Sequence, residues 1–368
     1  MARQTPSATT KARLKSCRQA MAKKKLPALL ITNRNDHYYL IGFSGEDSAL
    51  LITKDSVHII SDGRFDTSIK QEAPWAKVTM RKGLLNAEIV SVVREYKLKK
   101  VGIQTDVMPV ESRDELRKKL KGVTLADAPG IIAEMRCIKS DEEVALIEES
   151  LKVCEAAFRA TLKTIRVGQT ELELAGRLEY EMKRRGSLSP AFDTIVGIDA
   201  NAALPHAFPG QRKVKKGCLI LFDWGATVGF YTSDLTRTVF IGSIPPKMGQ
   251  VYEVVLEAQQ RAIKAIKPGA RMCDVDAVAR QHIEKAGFAK EFNHGLGHGM
   301  GLDVHEAPSL SWRSSQKLEP GMVVTVEPGV YLPDVGGVRI EDDVLVTKTG
   351  YRVLSRLKKD IRSAVLSV

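Results

Sequence analysis

Three of the seven histidines in this 368-residue chain fall in one stretch, His294-Gly-Leu-Gly-His298-Gly-Met-Gly-Leu-Asp-Val-His305-Glu306. Histidine ligates metals and exchanges protons near neutral pH, so such clustering points to metal binding or catalysis. Gly295, Gly297, Gly299 and Gly301 alternate through the stretch, and each Gly costs a helix up to ~1 kcal/mol relative to Ala. The two histidines four apart are therefore not the helical pair of an H-E-x-x-H zinc protease. Alternating glycines predict an extended strand with one face closely approached by a ligand or by other backbone. A Gly-rich loop with incidental histidines is the alternative, and the carboxylates elsewhere weigh against it.

Those carboxylates sit in two hairpins. In Leu219-Ile-Leu-Phe-Asp223, through a turn near Val228-Gly229, to Asp234-Leu-Thr-Arg-Thr-Val-Phe240, pairing about that centre sets Asp223 opposite Asp234. In Met322-Val-Val-Thr-Val-Glu327 and Gly337-Val-Arg-Ile-Glu341, a hairpin centred on Asp334 sets Glu327 opposite Glu341. Opposite residues share a sheet face with Cβ atoms ~4.5–5.5 Å apart, and like charges there destabilise the sheet unless a cation lies between them. Asp223 and Glu327 both end strongly apolar runs, so a solvated hairpin face does not explain the pairs. Four acids with one or more histidines make a mostly hard, oxygen-rich set, suited to Mn²⁺ or Co²⁺, with Zn²⁺ as a further option. Two ions ~3.5–4 Å apart within such a set share and activate a water, and metal-assisted hydrolysis is the reaction class this predicts.

The elements that must position these groups fall into two blocks. Residues 27–68 alternate short apolar runs, 27–32, 38–41, 49–53 and 57–60, with turn signals. The first and third are continuous, as in strands covered on both faces. Helical patterns at 8–24, 64–72 and 84–97 and short strands at 101–103 and 123–125 complete an α/β pattern over the first ~130 residues. Asp62-Gly-Arg64 reads as an ordinary strand-to-helix turn; reach of Arg64 to a substrate carboxylate is its functional alternative. Ala128-Pro-Gly130 and Met135–Ser140 look like a join, giving domains at 1–135 and 136–368. Ser140 before Asp141-Glu-Glu143 predicts a capped helix start, with Val144, Ile147, Leu151, Cys154 and Phe158 on one face to about Ile165.

An internal repeat follows. Arg166-Val-Gly168, a helix and Gly186 are echoed by Lys267-Pro-Gly269, a helix and Gly287, each separated from its counterpart by 101 residues. Each copy follows a long helix (141–165, then about 248–266) and precedes strands. The pattern predicts one α+β C-terminal domain with pseudo-two-fold symmetry, holding the acids at matching places in its halves.

Composition excludes several classes. Apolar content of 43% and charged content of 27% are globular values, so disorder is not expected. No apolar run approaches the ~18 residues of a membrane span. Met1–Lys25 is basic without an apolar h-region, so no secretory signal is read. Five cysteines, odd in number and without a C-x-x-C, fit a reducing cytoplasm. The net charge of +12 is scattered in short clusters without aromatic interleaving or a reader motif, so a solvated basic surface is expected rather than nucleic-acid binding.

In combination these motifs resemble a known family. Phe222-Asp223-Trp-Gly, Ser233-Asp234-Leu-Thr-Arg-Thr238, His294-Gly-Leu-Gly-His298-Gly-Met-Gly, Val326-Glu327-Pro-Gly and Arg339-Ile-Glu341-Asp resemble the metallopeptidases of the pita-bread fold. Ala203-Leu-Pro-His206 and Val304-His305-Glu306 look like that family's two catalytic histidine motifs. Tyr39-Leu-Ile-Gly-Phe-Ser-Gly45 and Ser61-Asp-Gly-Arg64 are similar to the creatinase/prolidase N-terminal domain. The likeness covers about residues 10–355. It implies an α/β N-terminal domain followed by a pita-bread catalytic domain, and two metal ions, with Asp223, Asp234 and Glu341 holding one and Asp234, His298, Glu327 and Glu341 the other. It further implies Glu327 as proton shuttle, His206 and His305 as donors to a developing oxyanion, and His294, Tyr331 and Arg339 as lining for a proline pocket. Creatinase and the non-catalytic protein- or RNA-binding relatives have lost metal carboxylates, which this chain keeps. The expected activity is hydrolysis of Xaa-Pro bonds in di- or oligopeptides, with a non-catalytic binding module as the alternative. Compact length favours a dipeptidase and Asp-Gly-Arg an aminopeptidase. Relatives are commonly homodimers, so a homodimer is expected.

Overall fold

Continuous apolar runs build the first sheet. The computed structural model describes residues 5–367, so Met1–Gln4 of the basic N-terminal segment and Val368 lie outside the described residues. The chain divides into two units between Arg136 and Cys137. In the first, strands β1 (Ala28–Ile31), β2 (Ala49–Thr53), β3 (Val57–Ser61), β4 (Lys77–Met80), β5 (Lys100–Ile103) and β6 (Thr124–Asp127) form one mixed sheet in the order β4-β3-β2-β1-β5-β6. The central strand β1 is buried throughout, which is why its sequence does not alternate. Helices α1 (Ala8–Lys23), α2 (Arg34–Ile41), α3 (Asp66–Glu72), α4 (Leu85–Glu95), α5 (Val110–Lys119) and α6 (Ile131–Arg136) complete this unit. Ile89 and Val93 of α4 and Leu116 of α5 pack with Leu30, Leu51 and Ile103 of the sheet.

The apolar run at 38–41 is not a strand but the end of α2. Asn33 caps that helix by accepting from the Asp36 N–H at 3.1 Å, and Gly42 ends it at φ +74°, a conformation that Gly adopts without strain. These two local signals outweigh the β propensity of Tyr38-Tyr-Leu-Ile41. Cap and terminator decide it.

The second unit holds α7 (Asp141–Leu162), α8 (Glu171–Arg184), α9 (Pro246–Ala265) and α10 (Met272–Lys285). Both α7 and α8 begin in full capping boxes, Ser140 with Glu143 and Thr170 with Glu173, satisfying N–H groups that a helix start leaves without partners. The repeat is met in the backbone: α10 begins and ends 101 residues after α8. Strands β7 (Ile195–Ile198), β8 (Leu219–Trp224), β9 (Thr227–Val228), β10 (Tyr231–Thr232) and β11 (Leu235–Ile241) belong to the first half. The second half contributes β12 (Gly297–Gly299), β13 (Glu306–Leu310), β14 (Val323–Val326), β15 (Gly329–Leu332), β16 (Gly336–Arg339), β17 (Asp342–Val346), β18 (Tyr351–Val353) and β19 (Val365–Leu366). One sheet runs β19-β11-β8-β7 and the other β13-β12-β14-β17-β18, so the antiparallel triple β7-β8-β11 answers to β12-β14-β17. This is the α+β unit with internal pseudo-symmetry that the repeat predicts. Its core joins α9 and α10 to both sheets through residues such as Val255, Ile263, Val275, Ile283, Leu221 and Val324.

Candidate active site

Two glycines of the stretch, Gly297 and Gly299, are set by neighbouring backbone. A Cβ at Gly297 would lie 2.1 Å from the Thr325 carbonyl oxygen, and one at Gly299 2.3 Å from that of Ala307. Strand β12 is thus pressed between β13 and β14, and only Gly allows that approach. The interleaved His298 is half-buried between them. Its backbone N–H donates to Thr325 Oγ1 at 3.1 Å, and its Nε2 lies 3.2 Å from Glu327 Oε1 and 3.7 Å from Asp234 Oδ2.

The second hairpin keeps the expected register. Val326 pairs with Asp342 and Gly329 with Arg339, so Glu327 and Glu341 occupy facing positions between them. Asp334, at φ +62°, sits in the tight turn that fixes this pairing. The first hairpin is a correction: Asp223 faces Thr236, not Asp234. The turn residues are Gly229 and Phe230, at φ +54° and +68°, and Val228 pairs with Tyr231. Two successive positive φ values make the tight hairpin turn whose twist matches its strands, and a phenylalanine is no signal for one. The two-residue displacement keeps Asp223 and Asp234 on one face as diagonal neighbours, because side chains alternate with period two.

The carboxylates differ in their partners. Asp223 accepts from Arg339 Nη2 at 2.5 Å, and Glu341 accepts from Thr236 Oγ1 at 2.7 Å. Glu327 accepts from Thr325 Oγ1 at 3.1 Å. Asp223 Oδ1 and Glu341 Oε1 are buried with no hydrogen-bond partner. Burial raises the pKa of Asp223, only partly offset by Arg339. Burial, then the charges of Glu341 and Asp223, hold the Asp234 carboxyl well above its usual range. Burial, then Glu327, does the same to Glu341. Burial also pushes Glu327 up, but the hydrogen bond and charge of His298 outweigh it and hold that carboxyl at about 2.

Ligand atoms of Asp234, His298 and Glu341 lie within 4.8 Å of one another. Buried acids that resist ionisation, with oxygens left without partners, are what a divalent cation would satisfy. The donor set is mostly carboxylate with one imidazole, a set that suits Mn²⁺, Co²⁺ or Zn²⁺. The residues present fit a metal centre.

Nine of the ten residues singled out in the sequence line one cavity of about 1040 Å³: His206, Asp223, Asp234, His294, His298, His305, Glu327, Tyr331 and Arg339. The tenth, Glu341, is buried beside Asp234 and His298. His206 sits on an exposed turn, and His305, also exposed, places its ring 4.3 Å from that of His298. His294, Tyr331 and Arg339 form a chain. His294 Nε2 is 2.9 Å from the Tyr331 hydroxyl, which accepts from Arg339 Nη1 at 2.7 Å. Burial lowers the pKa of His294 and raises that of Tyr331 to about 12, so both are neutral at pH 7. Arg64 lies in the first unit, ion-paired to Asp62 at 2.7 Å and to Asp47 at 2.8 Å. The spacing of charged residues does not single out Thr236, Thr325 or the buried Asp343, whose Oδ2 accepts from the Asp234 N–H at 3.3 Å. A hydroxyl opposite an acid in the shifted register is the one signal that points to Thr236.

Comparison with known proteins decides the family. The model for metallopeptidase family M24 matches residues 145–348, and that for the creatinase/prolidase N-terminal domain matches residues 13–138. The chain belongs to metallopeptidase family M24. It is a metallopeptidase, and its centre takes divalent metal ions. It is similar to an Xaa-Pro dipeptidase of Pyrococcus horikoshii, 35% identical over 95% of this chain and 98% of that one. A solved Xaa-Pro dipeptidase from Bacillus anthracis superposes with a TM-score of 0.93 at 34% identity, covering 97% of this chain and all of the other. An X-Pro aminopeptidase from Thermotoga maritima superposes with a TM-score of 0.87 at 33% identity, over 95% of this chain and all of its own.

Proposed function

We propose that this M24 enzyme hydrolyses the Xaa-Pro bond at the N-terminus of short peptides, Xaa-Pro dipeptides among them. We further propose that two divalent metal ions serve it, Mn²⁺ foremost and Co²⁺ or Zn²⁺ as alternatives. The observation that carries this reading is the convergence of Asp234, His298 and Glu341 within 4.8 Å, beside a cavity lined by four histidines, Tyr331 and Arg339. The Xaa-Pro dipeptidases and X-Pro aminopeptidase among its relatives supply the substrate class.

In this reading Asp223, Asp234 and Glu341 would hold one ion, and Asp234, His298, Glu327 and Glu341 the other. Bound there, the ions would polarise the scissile carbonyl and make water nucleophilic at neutral pH. Glu327 carries the proton toward the departing proline nitrogen. His206 and His305 donate to the carbonyl oxygen as its charge develops, which lowers the barrier more than it stabilises bound substrate. His294 and Tyr331, backed by Arg339, form the wall against the proline ring. Residues 1–135 are the creatinase/prolidase-type domain and 136–368 the catalytic domain.

The chain is proposed to be a cytoplasmic homodimer; sedimentation with only a fully active 40.5 kDa species would refute the dimer. No nucleic-acid partner is proposed for its basic surface. The deciding assay is turnover of Ala-Pro, beside a longer Xaa-Pro peptide, after chelation and again after adding Mn²⁺ or Co²⁺. Loss and recovery are expected. Full activity after verified metal removal, or none at any metal loading, ends the reading.

A further inference from the structure

We infer that Arg280, clamped by Asp276, is the positioning residue for the proline side of the cleft, holding His294 and Trp312 in place without touching the metal-binding acids. The inference rests on the Xaa-Pro reading above.

Helix α10 sets Asp276 and Arg280 one turn apart. Asp276 has no exposed surface. Its Oδ2 accepts from Arg280 Nε at 2.8 Å, and its Oδ1 from Arg280 Nη2 at 3.0 Å, a two-pronged pair that fixes the guanidinium plane. The same Oδ1 accepts from the backbone N–H of Leu296 at 3.1 Å. Arg280 puts two further donors on the segment just before β12: Nη1 on the Phe292 carbonyl at 3.0 Å and Nη2 on the His294 carbonyl at 2.8 Å. Three backbone groups within five residues, at 292, 294 and 296, are thus held by one side-chain pair.

The aromatic contacts extend the hold. The guanidinium carbon lies 4.2 Å from the Phe292 ring centroid and 4.5 Å from that of Trp312. Phe292 meets His294 edge-on at 5.1 Å, and His294 reaches Tyr331. His294 and Trp312 both line the cavity, and the Trp312 side of it is partly exposed. His298, four residues on, is held differently, by strand pairing and by Thr325. Loss of Arg280 therefore frees His294 and Trp312 while leaving Asp234, His298 and Glu341 where they are. Lysine cannot replace it, since one ammonium on a flexible stem lacks the planar fork needed to bond a carboxylate and two carbonyls at once.

A residue that only stabilises the fold predicts a lower melting temperature with unchanged KM. A positioning residue for the proline side predicts weaker substrate placement at an intact metal centre. The experiment uses the metal-loaded full chain and its Arg280→Lys, Arg280→Ala and Asp276→Asn variants. It measures kcat and KM for Ala-Pro, bound metal by elemental analysis, and the melting temperature. The expected result is a KM raised by roughly tenfold or more, of the size that small misplacements produce, with kcat within about threefold and metal content at the parent's level. If Arg280→Ala does not fold, the two milder variants decide. A KM within about threefold of the parent's in the folded variants, or loss of metal in step with activity, overturns the proposal alone. Absence of Ala-Pro turnover in the parent chain overturns the Xaa-Pro reading and this proposal with it.

Discussion

Asp36 in the first unit and Glu341 in the second are both buried acids, and they live in opposite circumstances. Asp36 accepts from Gln104 Nε2 at 2.6 Å and from Arg136 Nη1 at 2.9 Å, so both its oxygens and its charge are answered. Glu341 has one oxygen on Thr236 and the other on nothing, with Asp223, Glu327 and Asp343 among the charges that raise its pKa. A buried charge without a partner is costly, and a fold keeps such a group only where something else completes it. The satisfied acid is scaffold. The unsatisfied cluster is where the cation belongs.

The largest effect that tests this contrast comes from Glu341→Gln and Asp234→Asn. Each should lose bound metal and cut turnover by more than ~10²-fold, the upper end for merely disturbing the partners of a ligand. In chelated protein the same substitutions should raise the melting temperature, because they remove a charge that burial disfavours. Elemental analysis with thermal melts of stripped protein reads both; a stripped variant that melts below the stripped parent would break the contrast.

Next in size is the division of labour between His298 and His294. His298 touches Glu327 and Asp234, whereas His294 turns to Tyr331. His298→Ala should release at least one metal equivalent and abolish turnover. His294→Ala should keep both equivalents and weaken catalysis through substrate placement. Metal analysis of the two purified variants decides, and an emptied site in His294→Ala alone would reverse the assignment.

How far the sequence carries this picture depends on the range of the interaction. Glu327 opposite Glu341 is legible because Pro333-Asp334 marks its own turn and the flanking apolar runs fix the register. The 101-residue repeat is legible because helix caps and terminating glycines are local. The pairing of Asp223 is not, because the turn closes on Phe230, whose positive φ no propensity announces. The apolar run at 38–41 does not announce a helix because aromatic and β-branched side chains outnumber Asn33 and Gly42, which act at single positions. Thr325, Asp343 and Arg280 are out of reach for a different reason. Their meaning comes from partners that only the folded sheets and helices bring near, as Asp343 meets the backbone of Asp234.

On the scaffold side, Asp36→Asn should remove half of an ion pair whose side chains are each 7% exposed. Breaking a buried pair by removing one partner costs roughly 3–5 kcal/mol. The contrast predicts a large loss of stability with metal content unchanged per folded molecule. Denaturant unfolding and metal analysis measure it; a stability within about 1 kcal/mol of the parent would mean that Asp36 is not the scaffold acid described.

The smallest expected effect belongs to the neighbour of that acid. His37 is buried, its Nε2 2.9 Å from the Ile31 carbonyl oxygen, and burial pushes its pKa down from 6.5 to about 4. Above pH 6.5 the imidazole is neutral in both folded and unfolded chains, and it adds no pH dependence. Between pH 6.5 and 4 the unfolded chain takes up a proton that the folded one refuses, so stability falls as pH falls. With ~1.36 kcal/mol lost for each pH unit across that window, the loss approaches about 3 kcal/mol at pH 4, and a good part of it is present by pH 5. His37→Gln keeps a donor toward Ile31 and has no proton to gain. Urea unfolding of both proteins in chelator at pH 7.5, 5.5 and 4.5 isolates this contribution as a difference, because the other histidines titrate alike in each. The gap between parent and variant should move in the variant's favour as the pH drops. Parallel pH profiles would show that the first unit meets the imidazole with a partner for its charge after all, and that its buried groups are not all scaffold.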